Sequence, residues 1–103
     1  MHLEKLAERS GLRMNVLRQI CELAKRNGIR KVLLFGSRGR GDFKKRSDID
    51  LAVLGGNVNR FRLELEEETD TLLKYDVVDM NHRISPALQE ILDREGVSLY
   101  EEI

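Results

Sequence analysis

Gly36-Ser37-Arg38-Gly39-Arg40-Gly41-Asp42-Phe43-Lys44-Lys45-Arg46-Ser47-Asp48-Ile49-Asp50-Leu51 is the stretch on which the reading of this chain turns. An apolar run, Val32-Leu33-Leu34-Phe35, leads into it, and a second, Leu51-Ala52-Val53-Leu54, leads out. Residues two apart share a face of a strand. If residues 48–54 form a strand, Asp48 and Asp50 project side by side. Ile49, Leu51 and Val53 then point the other way, into a core. Two adjacent carboxylates repel unless a cation neutralises them. Mg²⁺ is the natural occupant, because it takes one or two carboxylates and completes its shell with waters and substrate phosphates.

The Gly36-Ser37 turn supplies the other half of the chemistry. Glycine lets backbone approach a ligand with no Cβ in the way. Ser37 can cap a following helical turn or hydrogen-bond a phosphate oxygen. Backbone N–H groups at such a turn form an anion site. Lys44, Lys45 and Arg46 add positive charge, and Arg38 and Arg40 join Gly36 and Ser37 as candidate nucleotide contacts. Other phosphate motifs are excluded. Gly36 and Gly41 have P-loop spacing, but Asp42-Phe43 stand where Lys-Ser/Thr is required. Glycines 36, 39 and 41 reverse the dinucleotide fingerprint. A phosphate loop beside two or three carboxylates suits two-metal phosphoryl or nucleotidyl transfer, with two Mg²⁺ ions. A third run, Asp76-Val77-Val78-Asp79-Met80, offers the third carboxylate. Asp76 and Asp79 lie on opposite faces of an ideal strand, so only one can join the pair.

Gly36-Ser37, ten residues, then Asp48-x-Asp50 resembles the signature of the nucleotidyltransferase superfamily that includes DNA polymerase beta. The GSRGRGDFKKRSDIDLAV wording and the ending Ile91-x-x-x-x-Gly96-Val97-Ser98-Leu99-Tyr100 resemble its minimal nucleotidyltransferase branch, over about residues 29–100. The resemblance implies a polymerase beta-like core and transfer of AMP from Mg·ATP. It favours Asp76 as the third metal-binding and catalytic carboxylate beside Asp48 and Asp50. It also implies an antitoxin role: the acceptor would be a tyrosine of a HEPN-domain ribonuclease toxin. Two rival readings stand beside this one. The chain could be a binding module that occludes its partner, or an enzyme that modifies a small molecule such as an aminoglycoside. Enzymes of the latter type carry an added acceptor-holding domain, for which this chain has little length.

At 103 residues the expectation is a single domain over 1–103 with one modest core. Acidic and basic residues balance to a formal net charge of zero, so neither nucleic-acid nor membrane binding is expected from overall charge. One cysteine, Cys21, excludes an internal disulfide framework, and no zinc-type spacing occurs. No leader-like segment and no apolar run near the roughly eighteen residues of a membrane span appear, which predicts a soluble, cytoplasmic protein.

The pattern predicts helices over 3–9, 12–27, 58–74 and from Pro86 to about Arg94, with Ser85 as cap of the last. Gly28 is the expected C-cap of the second. Val58, Phe61, Leu65 and Leu72 form the stripe of the third, with Glu64 outside it. Strands are predicted over 31–36, 48–54 and 75–80, with a short extended segment at the end. The result is an α/β (α+β) fold with a small mixed sheet of three to four strands flanked by helices. Cys21, Tyr75 and Tyr100 read as packing residues, and His82 as a surface residue.

Overall fold

Apolar alternation in four short runs builds the sheet of this protein, seen in a computed structural model that describes residues 2–102. The strands are β1 (Lys31–Phe35), β2 (Ile49–Leu54), β3 (Tyr75–Asp79) and β4 (Val97–Glu101). Their spatial order is β3-β2-β1-β4. β1 runs antiparallel to both β2 and β4, whereas β2 and β3 are parallel. The sheet is therefore mixed and four-stranded, as the pattern predicts. A parallel pair needs a crossover, and α4 (Val58–Glu68) supplies it.

The remaining helices are α1 (His2–Ser10), α2 (Met14–Arg26), α3 (Gly36–Arg40) and α5 (Pro86–Glu95). α3 is a single short helical turn that follows directly on β1. On one sheet face, Val32, Leu34, Ile49, Leu51 and Val53 pack with Leu6 of α1, Leu17 and Ile20 of α2, and Phe61 and Leu65 of α4. On the other, Phe35 and Ala52 pack with Leu92 of α5, edged by Leu33, Val78, Leu88 and Ile91. The first face has the cover of three helices and the second of one. By strand alternation Asp50 shares its face with Ala52, and Asp76 shares its face with Val78. Both carboxylates thus stand on the thinly covered side, beyond the patch that α5 protects.

Two expectations change. The third helix stops at Glu68 rather than 74. The Thr69 hydroxyl donates back to the Leu65 carbonyl and also pairs with the Tyr75 hydroxyl. Asp70 is held across the gap by α2: Gln19 Nε2 donates to its carboxylate at 2.9 Å, and its own N–H donates to Gln19 Oε1 at 2.8 Å. These contacts turn the chain outward, so Leu72 leaves the helical stripe and is fully exposed. Glu64, expected outside the stripe, is instead buried against α2, where Asn27 Nδ2 donates to it at 2.7 Å. α2 ends through Asn27, with Gly28 following at φ 69. Ser85 caps α5 by accepting from the Leu88 N–H. Cys21 donates to the Leu99 carbonyl at 3.6 Å, and burial pushes its thiol up to about 11, so it packs rather than reacts.

Candidate active site

The strand register assembles the carboxylates. Asp50 lies opposite Phe35 on β1 and opposite Asp76 on β3. Asp48 stands one residue before β2 begins. Phe35 ends β1, so the turn that follows it arrives directly beside Asp50. Gly36 adopts φ 69, and a Cβ there would run into the Asp50 carboxylate. Any other residue at 36 would have to displace that carboxylate and would also strain the backbone. Glycine is required here by two independent constraints.

Charge at this point is uncompensated. The Asp50 carboxyl is pushed up to about 6, first by burial and then by the charges of Asp76 and Asp48, with Arg40 opposing. Like charges held together in a half-buried place favour either a proton or a cation. Among the described residues no three acidic, histidine or cysteine side chains stand close enough together to hold a metal ion by themselves. The donor set fits Mg²⁺ nonetheless: a few carboxylate oxygens, open on one side, leaving coordination positions to water and phosphate.

Asp79 belongs elsewhere. It pairs with Val53, toward the far end of β2. Its Oδ1 accepts from the Asn81 backbone N–H and from Asn81 Nδ2, both at 2.9 Å, and His82 Nε2 lies 3.5 Å from its Oδ2. Asp79 therefore closes the turn after β3, while Asp76 sits beside Asp50. His82 is exposed, as expected.

The two candidate arginines part company. Arg38 is 2% exposed. Its guanidinium donates to the carbonyls of Ser47 at 3.0 Å, Ser10 at 2.9 Å, Lys45 at 3.3 Å and Lys44 at 3.4 Å, and lies 4.9 Å from the centre of the Phe43 ring. It pins the loop between α3 and β2 to the end of α1. The expected phosphate contact is thus replaced by a structural one, because the loop's carbonyls have taken its donors. Arg40 remains exposed at the end of α3. Its Nε donates to Asp42 at 3.0 Å and its Nη1 to Glu95 of α5 at 2.9 Å. Its charge still reaches Asp50. Gly36 and Ser37 open α3, and the Ser37 carbonyl accepts from Gly41 and Asp42 N–H groups to close that turn.

The polymerase beta, nucleotidyltransferase family model matches residues 18–102. The chain belongs to this family. Its mixed sheet is that of the family's fold. A provisionally named minimal nucleotidyltransferase of known structure is 30% identical, with a TM-score of 0.63 over 94% of this chain and 95% of its own. A toxin–antitoxin crystal structure with AMP-PNP is 28% identical, with a TM-score of 0.64 over 84% of this chain and 73% of that one. A provisionally named protein adenylyltransferase of Methanocaldococcus jannaschii is 45% identical over 53 residues. That match takes in 52% of this chain, and the chain spans about half (51%) of that curated relative's length.

The nucleotidyltransferase carries one site feature that its sequence did not disclose. Glu95 holds Arg40 from 55 residues away, and no linear spacing signals that pairing. A cavity of about 720 Å³ lies between α1, Cys21 and β4, away from the carboxylates. Among the described residues no helix is long and apolar enough to cross a membrane.

Proposed function

We propose that this nucleotidyltransferase moves AMP from Mg·ATP onto a hydroxyl of a partner protein. We further propose that the partner is a HEPN-domain toxin modified on tyrosine, which makes the chain an antitoxin. The observation that carries the transfer reading is the register: Asp50 lies between the Gly36 turn and Asp76, with Asp48 adjacent. The choice of acceptor draws support from the protein adenylyltransferase name of the Methanocaldococcus relative and from the toxin–antitoxin assemblies among the similar structures.

Asp48, Asp50 and Asp76 would hold the two Mg²⁺ ions. Bound there, Mg²⁺ neutralises triphosphate charge and the charge that develops on the attacking and leaving oxygens. Gly36 and Ser37 present backbone N–H groups and a hydroxyl to the terminal phosphates, and so orient the α-phosphorus for in-line attack. The acceptor oxygen forms a bond to the α-phosphorus as the bond to the bridging oxygen breaks. Pyrophosphate leaves, and Asp76 takes the hydroxyl proton. Arg40 faces the leaving phosphates from its anchor on Asp42 and Glu95.

The test is labelled ATP with this protein, alone and with a HEPN-domain toxin as partner. Addition of one or more AMP units to a toxin tyrosine, with loss of its ribonuclease activity, is the expected result. The Asp48→Asn, Asp50→Asn double variant should leave the toxin unmodified and protect cells poorly. Full protection by that variant, with no adduct in either case, would reduce the chain to an occluding module. Labelling of a small molecule instead of the toxin would move the acceptor class.

A further inference from the structure

Leu72 is fully exposed, and it is not on a loose tip. The segment that carries it is tied down at both ends. Before it, Asp70 is held by Gln19, and its carbonyl accepts from Arg13 at 2.9 Å. After it, the Lys74 carbonyl accepts from the Ile49 N–H at 2.8 Å, at the start of β2. Between these anchors the Leu73 N–H donates to the Thr71 hydroxyl. Leu72 and the half-buried Leu73 beside it give this stretch of surface an apolar lining held in place by those anchors.

Charged residues lie beside it. Arg46, Asp48, Leu72, Leu73 and Lys74 line one groove of about 520 Å³. Asp48 belongs to the carboxylate group, so the groove adjoins the proposed site of transfer at that residue. Its two cations, Arg46 and Lys74, make no ion pair among the described residues. Lys44 and Lys45, on the same loop as Arg46, are likewise exposed and without such a pair. An otherwise neutral chain thus sets a basic, leucine-tipped rim against its own acidic centre.

We propose that this groove docks the acceptor segment of the partner protein. That segment would carry acidic side chains and an apolar residue next to its hydroxyl. The inference rests on the protein-acceptor reading above and adds which part of the partner is recognised and by what chemistry. Leu72 takes the apolar residue, Arg46 and Lys74 take the acids, and the acceptor hydroxyl is left over Asp48. The basic rim also screens an acidic peptide from the carboxylates it must approach.

Fluorescent peptides with a central tyrosine test it: one flanked by glutamate and leucine, one by lysine and leucine, and a single-stranded RNA oligonucleotide as the competing class. Anisotropy at low salt should show the acidic peptide bound roughly tenfold tighter than the basic one, and salt should weaken it. Arg46→Glu with Lys74→Glu should reverse that order. Leu72→Ser should weaken the acidic peptide, while Leu63→Ser, at an exposed leucine of α4 outside the groove, should not. All four positions are exposed, and circular dichroism verifies the fold of each variant. Equal binding of both peptides, an unchanged order in the charge-reversed variant, or stronger binding of the RNA would overturn the docking surface. Labelling with Mg·ATP separates the two claims. Binding of the acidic peptide without labelling supports the groove and removes protein adenylylation. Labelling without charge preference does the opposite.

Discussion

Glu64 and Asp50 are both acids drawn into the fold, and they meet opposite treatment. Glu64 is surrounded by donors: Asn27 Nδ2 at 2.7 Å, Arg60 Nε at 3.3 Å and Arg26 Nη1 at 3.5 Å. The Asn27 hydrogen bond leads in holding its carboxyl below the usual value. Asp50 meets burial and two further carboxylates, and its carboxyl rises to about 6. The first acid is a joint between α2 and α4, complete as it stands. The second is a charge group that the protein alone does not satisfy. A satisfied acid reports on structure, and an unsatisfied one on the ligand it is kept for.

The largest effect should come from removing the unsatisfied group. Asp48→Asn with Asp50→Asn should lower single-turnover transfer by roughly a thousandfold or more. It should also abolish the rise in melting temperature that Mg·ATP gives the parent protein. Glu64→Gln should do the reverse, lowering the melting temperature and sparing transfer. Equal loss of transfer in both variants would erase the distinction between the two acids.

Next comes the contrast within β3. Asp76→Asn should cost roughly a hundredfold or more in transfer, because it removes a proton acceptor beside Asp50. Asp79→Asn, at the turn closed by Asn81, should stay near the parent rate. The opposite ranking would move the third carboxylate to Asp79.

A smaller effect should separate the arginines of α3, one through stability and the other through nucleotide binding. Arg38→Ala strands buried carbonyls and should cost about 3 kcal/mol in urea unfolding. Arg40→Ala should leave the urea midpoint nearly in place and weaken Mg·ATP binding by calorimetry. A weaker nucleotide with Arg38→Lys at unchanged stability would instead put Arg38 on the phosphate.

The smallest effect should be in the pH profile, where the two acids act with opposite sign. Asp50 is raised in the folded state. Its contribution to stability is fully present below its unfolded value near 3.8 and is lost as pH rises through about 6. Glu64 is lowered. Its contribution is present above its unfolded value and is lost as pH falls through the folded one. Melting temperatures of metal-free protein between acid and neutral pH should show both slopes. Asp50→Asn should remove the decline toward neutral pH, and Glu64→Gln should remove the decline toward acid. A neutral-side slope that survives Asp50→Asn would place its source in another group.

Much of this was legible in the linear chain. Alternation around Ile49, Leu51 and Val53 gave β2 its buried face, and the same period put Asp48 and Asp50 on the other. Ser85-Pro86 marked the start of α5, and the short link between β1 and β2, too short for a full crossover helix, pointed to a mixed sheet. The end of α4 was not legible. Its apolar period continues to Leu72, but Gln19 and Asn15 of α2, with Arg13 just before that helix, draw Asp70 aside, and a contact over 51 residues leaves no trace in local spacing.

The sequence by itself determined the elements, the mixed sheet and the two aspartates that share a face, because spacing along a strand dictates where each side chain points. Only the tertiary structure decided which carboxylate of β3 stands beside Asp50, since that follows from the register of β3 on β2. It also decided that Arg38 is a buried clamp while Arg40 stays exposed, paired with Asp42 and Glu95, and that Leu72 stands in water beside Asp48. Each of these depends on what residues far apart in the chain offer one another: carbonyls from Ser10 and Ser47 for Arg38, a carboxylate from Glu95 for Arg40, and an α2 side chain for Asp70. Propensity and period act over a few residues, and the competition for hydrogen-bond partners is settled only when the folded chain brings all of them together.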